Sequence, residues 1–457
     1  MIYLDLLNEI NEALKKQPNW VKERAIINSY KYSQKKLISK YDSKEIQEIS
    51  DDEIIDINNL DNDEKEEIKK LGINHLKKSK FAYFTMAGGI STSMGGCSKA
   101  ILEAKDKKTF LEIKLNHIRY IQKKYDCEIP FILMTNEETD NSIMEFLSKE
   151  DRLKDINLIK IIQPVTVRFE EINNELKVAT LKNGNVSYAP GGHYDAFILL
   201  NEIKDKLNEL GIKTIYVTNI DNLGATIDPL LLGTHLKEES YFTPEIAKKD
   251  LKDKGGTFAK INGKLKLLEG PMVPEDYKEK FVNTQINKYF NTNLIYLNID
   301  LFNYFDEINN EIPTFINKKI IDDKPMFGFE AAIGLIFGIK KSKLILVNRE
   351  TRFLPIKFLS DLWLLRSNFM TLDKESWSVY QEKNVKPIIE ISNQFISNLE
   401  DFDNKIADEG RTTNFKDLIS LKWIAKDGKI GSNVTFKGNV IIDEDNCIIK
   451  DNEIIEN

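Results

Sequence analysis

The sequence predicts an α/β protein built on a largely parallel sheet. Two observations carry this. Apolar runs of strand length alternate with helical stretches through the middle of the chain, as buried parallel strands with crossover helices require. Two of those runs end in segments suited to a ligand, Gly88-Gly89 and Asn219-Ile220-Asp221, where the carboxyl ends of parallel strands place binding loops.

Residues 1–76 read as an N-terminal helical region. Leu6, Leu7, Ile10 and Leu14 form one apolar stripe. The stretch from Ser50 to Lys80, dense in Asp, Glu and Lys, reads as a solvated helical surface. A core domain follows over 77–370. Its first strand is Phe81-Ala82-Tyr83-Phe84-Thr85-Met86, feeding Ala87-Gly88-Gly89. A helix is expected over Thr109–Lys124, strands over Ile129–Thr135 and Leu158–Gln163, a helix over Asp195–Leu210 ended by Gly211, and a strand over Thr214–Asn219. The last part, 371–457, changes character. Ile430, Val434, Phe436, Val440 and Ile442 recur between Gly and Asn, which fits one or two coils of a β-helix or a plain antiparallel hairpin.

Composition narrows the function. With 457 residues, 41% hydrophobic and 30% charged, the chain is a folded multi-domain protein and not a disordered tail. Its 65 basic and 72 acidic residues give a net charge of −7, so no overall cationic field draws it to nucleic acid. The longest apolar stretch, Ala331–Ile339, is far too short to span a membrane. Three scattered cysteines form no CxxC pair, and four histidines form no HExxH, which argues against a disulfide framework or a histidine-rich metal site. The opening residues show no secretory pattern. A cytoplasmic protein is expected.

Three loops invite chemistry. In Ala87-Gly88-Gly89-Ile90-Ser91-Thr92-Ser93-Met94-Gly95-Gly96-Cys97-Ser98-Lys99, four glycines let backbone N–H groups approach an anion, and Lys99 adds a charge. Its spacing matches neither the Walker loop nor the dinucleotide fingerprint, so an ordinary glycine-rich turn is the alternative. Pro190-Gly191-Gly192-His193-Tyr194-Asp195 precedes a helix whose N-terminus could face an anion or a base edge. Asp221, just past a central strand, suits Mg²⁺ as well as it suits a helix cap.

Read together, these segments resemble the UDP-sugar pyrophosphorylase family. The resemblance runs in order from about Phe81 to Ser367. It also takes in Lys254-Gly255-Gly256-Thr257, Leu267-Leu268-Glu269, Phe290-Asn291-Thr292-Asn293 and Arg352-Phe353-Leu354-Pro355-Ile356-Lys357. It implies a Rossmann-like nucleotidyltransferase core with a mixed, mostly parallel sheet and a small C-terminal left-handed β-helix, which could also serve homo-oligomer contacts. It implies transfer of a uridylyl group from UTP to a hexose 1-phosphate, glucose 1-phosphate by the form of the sugar loops, with Mg²⁺ as cofactor. Enzymes acting on N-acetylglucosamine or galactose phosphates share these loops, and a weakly catalytic UDP-sugar-binding protein is a further reading. On this resemblance Lys99 and Lys357 are catalytic and Asp221 holds the metal. Ala87, Gly88, Gly89, Gln163 and Gly191 bind the nucleotide. His193, Asn219, Glu269, Asn291 and Asn293 bind the sugar. The chain departs from the family where Ala87 replaces Asn, Ser91 replaces Gly, and Cys97-Ser98-Lys99 replaces Gly-Pro-Lys.

Overall fold

A computed structural model describes residues 40–456 apart from 92–93, 95, 173–174, 252, 254, 382–384 and 393–395. The expected stripe of Leu6, Leu7, Ile10 and Leu14 lies outside the described residues. The chain is a mixed α/β fold around an eight-stranded sheet. In chain order its strands are β1 (Ile54–Asp56), β2 (Phe81–Met86), β3 (Phe131–Thr135), β4 (Leu158–Ile162), β5 (Thr214–Asn219), β6 (Phe242–Lys248), β7 (Tyr289–Asn298) and β8 (Leu344–Leu346). They lie side by side as β1-β8-β6-β7-β5-β2-β3-β4. Five of the seven strand pairs are parallel, and both antiparallel pairs involve β7. β2 and β3 are buried at every position, as strands covered on both faces must be.

Two local expectations change. The charge-dense stretch from Ser50 opens with a single 3₁₀ turn, Asp51–Glu53, and then turns to strand: Ile54 and Ile55 pair with Leu344 and Ile345, making β1 an edge of the central sheet. Two adjacent β-branched residues outweigh the surrounding charges there. Helix α1 begins only at Asn62 and runs to Lys77, with the Asp61 side chain accepting from Glu64 N. The helix expected over Asp195–Leu210 is two helices, Asp195–Glu202 and Lys204–Glu209, with Ile203 at φ −103° and ψ 10° between them. α1 crosses the helix Pro229–Lys237 at two glycines. A Cβ on Gly72 would fall 1.9 Å from the Pro229 carbonyl oxygen, and one on Gly233 1.9 Å from that of Ile68. Both helices carry a mid-helix glycine because their backbones touch.

The tail is built of parallel coils. Strands Ile388–Ile391, Asn414–Trp423, Thr435–Ile442 and Ile454–Glu456 stack in parallel in that order. Side chains nineteen residues apart meet across the stack: Ser420 Oγ with Asn439 Oδ1 at 2.8 Å, and Asn433 Nδ2 with Asn452 Oδ1 at 2.8 Å. This excludes the antiparallel hairpin. Ile430, Val434, Phe436, Val440 and Ile442 all point into the core.

Candidate active site

The carboxyl ends of β2, β3, β4 and β5 share one edge of the sheet, and the expected loops gather there. Ala87 continues the ladder, donating from its N–H to Met134 O at 2.7 Å. Asn136, one residue past β3, donates from Nδ2 to Gly88 O at 2.6 Å, and a Cβ on Gly88 would come within 3.2 Å of the Asn136 Cβ. At Gly89 an added Cβ would meet open space. Residues Ile90–Ser91 then pair antiparallel with Cys97–Ser98. The glycine-rich stretch is thus a hairpin, and its return leg carries Lys99 back to the sheet edge.

There Lys99 Nζ donates to Asp221 Oδ2 at 2.7 Å and to Ile356 O at 2.9 Å. Both side chains of this pair are mostly buried, so each charge is desolvated and answered by the other. The segment bearing Lys357 is tied to the same place. Ile356 N donates to Asp221 O at 3.2 Å, and Leu354 N donates to Asn222 Oδ1 at 2.9 Å. Asn222 Nδ2 donates to Arg352 O at 3.0 Å. Lys357 itself is exposed. Behind it the buried Arg352 guanidinium binds Glu245 through two hydrogen bonds, 3.0 and 2.8 Å, and also reaches Thr226 and Tyr216. This fork anchors one end of the lysine segment in the sheet.

Among the described residues no group of three or more His, Cys, Asp or Glu could hold a metal ion. A divalent cation at this edge would rest on Asp221, with further oxygens from substrate. That suits Mg²⁺, which takes one or two carboxylates and keeps other positions for phosphate and water.

A second group lies beside the first. Gln163 follows β4, and its backbone N–H donates to Thr135 O at 2.8 Å. Its side-chain Nε2 donates to Gly192 O and to Asp195 Oδ2, both at 3.0 Å. Gly191 N donates to the same Asp195 oxygen at 3.1 Å. Gly192 has φ +94°, and a Cβ there would sit 2.5 Å from Ala331 O, so this position takes glycine alone. His193 Nδ1 meets Asn293 Nδ2 at 2.9 Å. The ring reaches solvent from a recess. Desolvation there lowers its pKa, against the opposing pull of the Glu330 and Asp221 carboxylates.

Asn291 and Asn293 flank a bulge in β7, where the register with β6 shifts between Glu245 and Ile246. Thr292 Oγ1 donates to Glu245 O at 2.6 Å across the bulge, and Asn293 has φ +61°. Asn291 N donates to Gly256 O at 3.0 Å. Gly256 also touches Glu269, whose carboxyl would lie 2.7 Å from an added Cβ. Burial pushes the Glu269 carboxyl up to about 7. Asn219 ends β5, two residues before Asp221. The structure therefore joins Lys99 with Asp221, Gln163 with Gly191, His193 with Asn293, and Glu269 with Asn291 through Gly256.

The family model described as UTP--glucose-1-phosphate uridylyltransferase matches residues 25–441. The chain belongs to this family. A probable UTP--glucose-1-phosphate uridylyltransferase of Schizosaccharomyces pombe is 30% identical over 395 residues, covering 83% of this chain and 78% of its own length. A UTP--glucose-1-phosphate uridylyltransferase of Encephalitozoon cuniculi is 29% identical over 397 residues, with the same two shares of 83% and 78%. The fold is that of a Leishmania major UDP-glucose pyrophosphorylase variant in complex with UDP-glucose. The two superpose with a TM-score of 0.81 at 21% identity, covering 99% of this chain and 98% of that one.

Several residues of this edge received no role from the sequence: Asn136 and Glu245 lie outside its motifs, and Asp195, Asn222 and Arg352 lie inside them without an assigned role. Asn136, Asp195, Asn222 and the Arg352–Glu245 pair hold the loops. Asn136 could have been sought directly after β3, by the same strand-end rule that picked out Asp221. Asp195 is the first residue of the helix after the glycine cluster, where the helix dipole favours an acid. Glu245 lies in mid-strand, and nothing local marks its partner 107 residues away.

Proposed function

We propose that this chain makes UDP-glucose and pyrophosphate from UTP and glucose 1-phosphate, reversibly. An oxygen of the sugar phosphate attacks the α-phosphorus of UTP, and pyrophosphate leaves. The nucleophile is already an anion near neutral pH, so the reaction needs no general base. Its barrier is charge repulsion and alignment, which positioned cations and dipoles lower. The observation that carries the reading is the convergence of Lys99, Asp221 and the Lys357 segment on one sheet edge: the Ile356 carbonyl binds the first lysine, and its N–H binds the Asp221 backbone.

In this reading Lys99 leaves Asp221 for the UTP phosphates and steadies pyrophosphate as it departs. Lys357 draws the sugar phosphate toward the α-phosphate. Asp221 is the residue that would hold Mg²⁺, which supplies Lewis-acid neutralisation of phosphate charge when bound. Ala87, Gly88, Gly89, Gln163 and Gly191 hold uridine. His193, Asn219, Glu269, Asn291 and Asn293 meet the hexose. The Rossmann-like description of the core, the left hand of the coiled tail, the division at 1–76, 77–370 and 371–457, and a cytoplasmic location belong to the same reading. The parallel pairing of the tail strands supports the coiled description of the tail.

Pyrophosphate release with UTP and a panel of sugar 1-phosphates tests the proposal. Glucose 1-phosphate should give the highest kcat/KM, and the signal should require Mg²⁺. Lys357→Ala should lower turnover by about 10²-fold or more with an unchanged circular dichroism spectrum, because the side chain is exposed. Near-normal turnover in that variant removes Lys357 from the chemistry.

A further inference from the structure

Gln163 and Asp195 together carry an inference about base selection; it rests on the reading of Gln163 as a nucleotide contact. A glutamine amide has two N–H donors and one acceptor oxygen. Here Nε2 faces Gly192 O and Asp195 Oδ2, each at 3.0 Å. The Gly192 carbonyl can only accept. Asp195 Oδ2 is already accepting from Gly191 N at 3.1 Å. Turning the amide over would set its oxygen against these two acceptors, so the orientation is fixed by its neighbours and is not a free choice. Gln163 is 8% exposed and Asp195 is fully buried. Gly192 is itself locked, by its positive φ and its contact with Ala331. Both donors of Gln163 therefore point inward, and its carbonyl oxygen is the group left for a ligand.

We infer that Asp195 is a positioning residue that makes Gln163 an acceptor toward the base and thereby selects uracil over cytosine. The uracil N3 carries a hydrogen and donates to that oxygen. The cytosine N3 is a lone pair and is repelled by it. Sites built around a particular hydrogen bond reject analogues lacking the matching group far more strongly than apolar pockets reject an extra methyl. Asp195 does not touch the nucleotide. Its effect passes through the Gln163 amide and the Gly191 N–H.

Calorimetric binding of UTP and CTP to the full chain tests this. The wild type should bind UTP at least tenfold more tightly than CTP. Gln163→Ala should weaken UTP about tenfold and leave CTP nearly unchanged. Asp195→Ala should cut the UTP/CTP affinity ratio at least fivefold, and Asp195→Asn, whose amide oxygen can still accept from both donors, should restore most of it. Gln163→Glu puts a carboxylate against the two acceptors and should bind UTP more weakly than Gln163→Ala. That variant keeps the test decisive if Asp195→Ala fails to fold. Unchanged UTP affinity in Gln163→Ala would overturn the nucleotide reading and this inference with it. A normal loss in Gln163→Ala, but an equal loss of UTP and CTP in Asp195→Ala, would overturn the inference alone. Gln163→Glu binding UTP as well as or better than Gln163→Ala would also overturn it.

Discussion

Lys99 and Asp221 answer each other at 2.7 Å in a mostly buried position. Neither charge is left alone at the sheet edge, and on the proposed function arriving phosphates would offer Lys99 a second set of oxygens. Glu269 is in the opposite condition, since burial pushes its carboxyl up to about 7 from an ordinary 4.5. The sign of its effect on stability follows. The native state binds more protons than the unfolded chain between these two values, so stability falls as pH rises across that interval. The contribution is fully present below about pH 4.5 and lost as pH passes about 7. Glu269→Gln should flatten this slope in urea unfolding measured at stepped pH, and an unaltered slope would assign it to another group. Below about 7 the protonated acid can also donate, so affinity for a sugar hydroxyl should respond to the same variant.

Elements decide what these residues can reach. The bulge between β6 and β7 turns Asn293 toward His193, and Thr292 secures the bulge from the buried side. The glycine-rich hairpin returns Lys99 to Asp221, which a straight loop would not do. Another element does similar work at the rear. Helix Leu359–Arg366 follows the Lys357 segment, and its Trp363 is fully buried among tail residues. The rings of Phe415, Phe402, Trp423 and Phe436 lie 5.0 to 6.2 Å from the Trp363 ring. Trp363→Ala should cost about 3–5 kcal/mol by the usual penalty for emptying an aromatic core site, read from denaturant midpoints. A loss under 1 kcal/mol would show that the tail can collapse into the space.

On the scale of the whole molecule, the same contacts bind tail to core. One hydrophobic cluster runs from Tyr83 and Phe131 in the sheet through Trp363 to Phe415, Phe436 and Ile449 in the coils. Deleting residues 411–457 would expose Trp363 and its neighbours, so the shortened chain should melt at a lower temperature and aggregate, although no proposed site residue is removed. Scanning calorimetry of the full and shortened chains checks this, and equal melting temperatures would make the tail an independent unit. The net charge of −7 also takes its meaning at this scale. On the proposed function, a polyphosphate substrate would be held against the average field by Lys99, Lys357 and the glycine-rich backbone.

The sequence by itself determined the α/β class, because buried parallel strands must read as continuous apolar runs, as Phe81–Met86 and Phe131–Thr135 do. It also placed the glycine-rich loop at a strand end, but left an ordinary turn open there and a plain hairpin open for the tail, which only the parallel stacking of the coils excluded. Only the tertiary structure decided the rest. β1 joins the sheet through a partner nearly 300 residues away in sequence. The Lys99–Asp221 pair spans 122 residues and the Arg352–Glu245 fork 107. The direction of the Gln163 amide is set by a carbonyl and a carboxylate about thirty residues distant. The physical reason is common to all of them. Apolar periodicity is written in neighbouring residues, whereas the partner of a buried polar group is chosen by whichever distant segment the packing brings within hydrogen-bond reach.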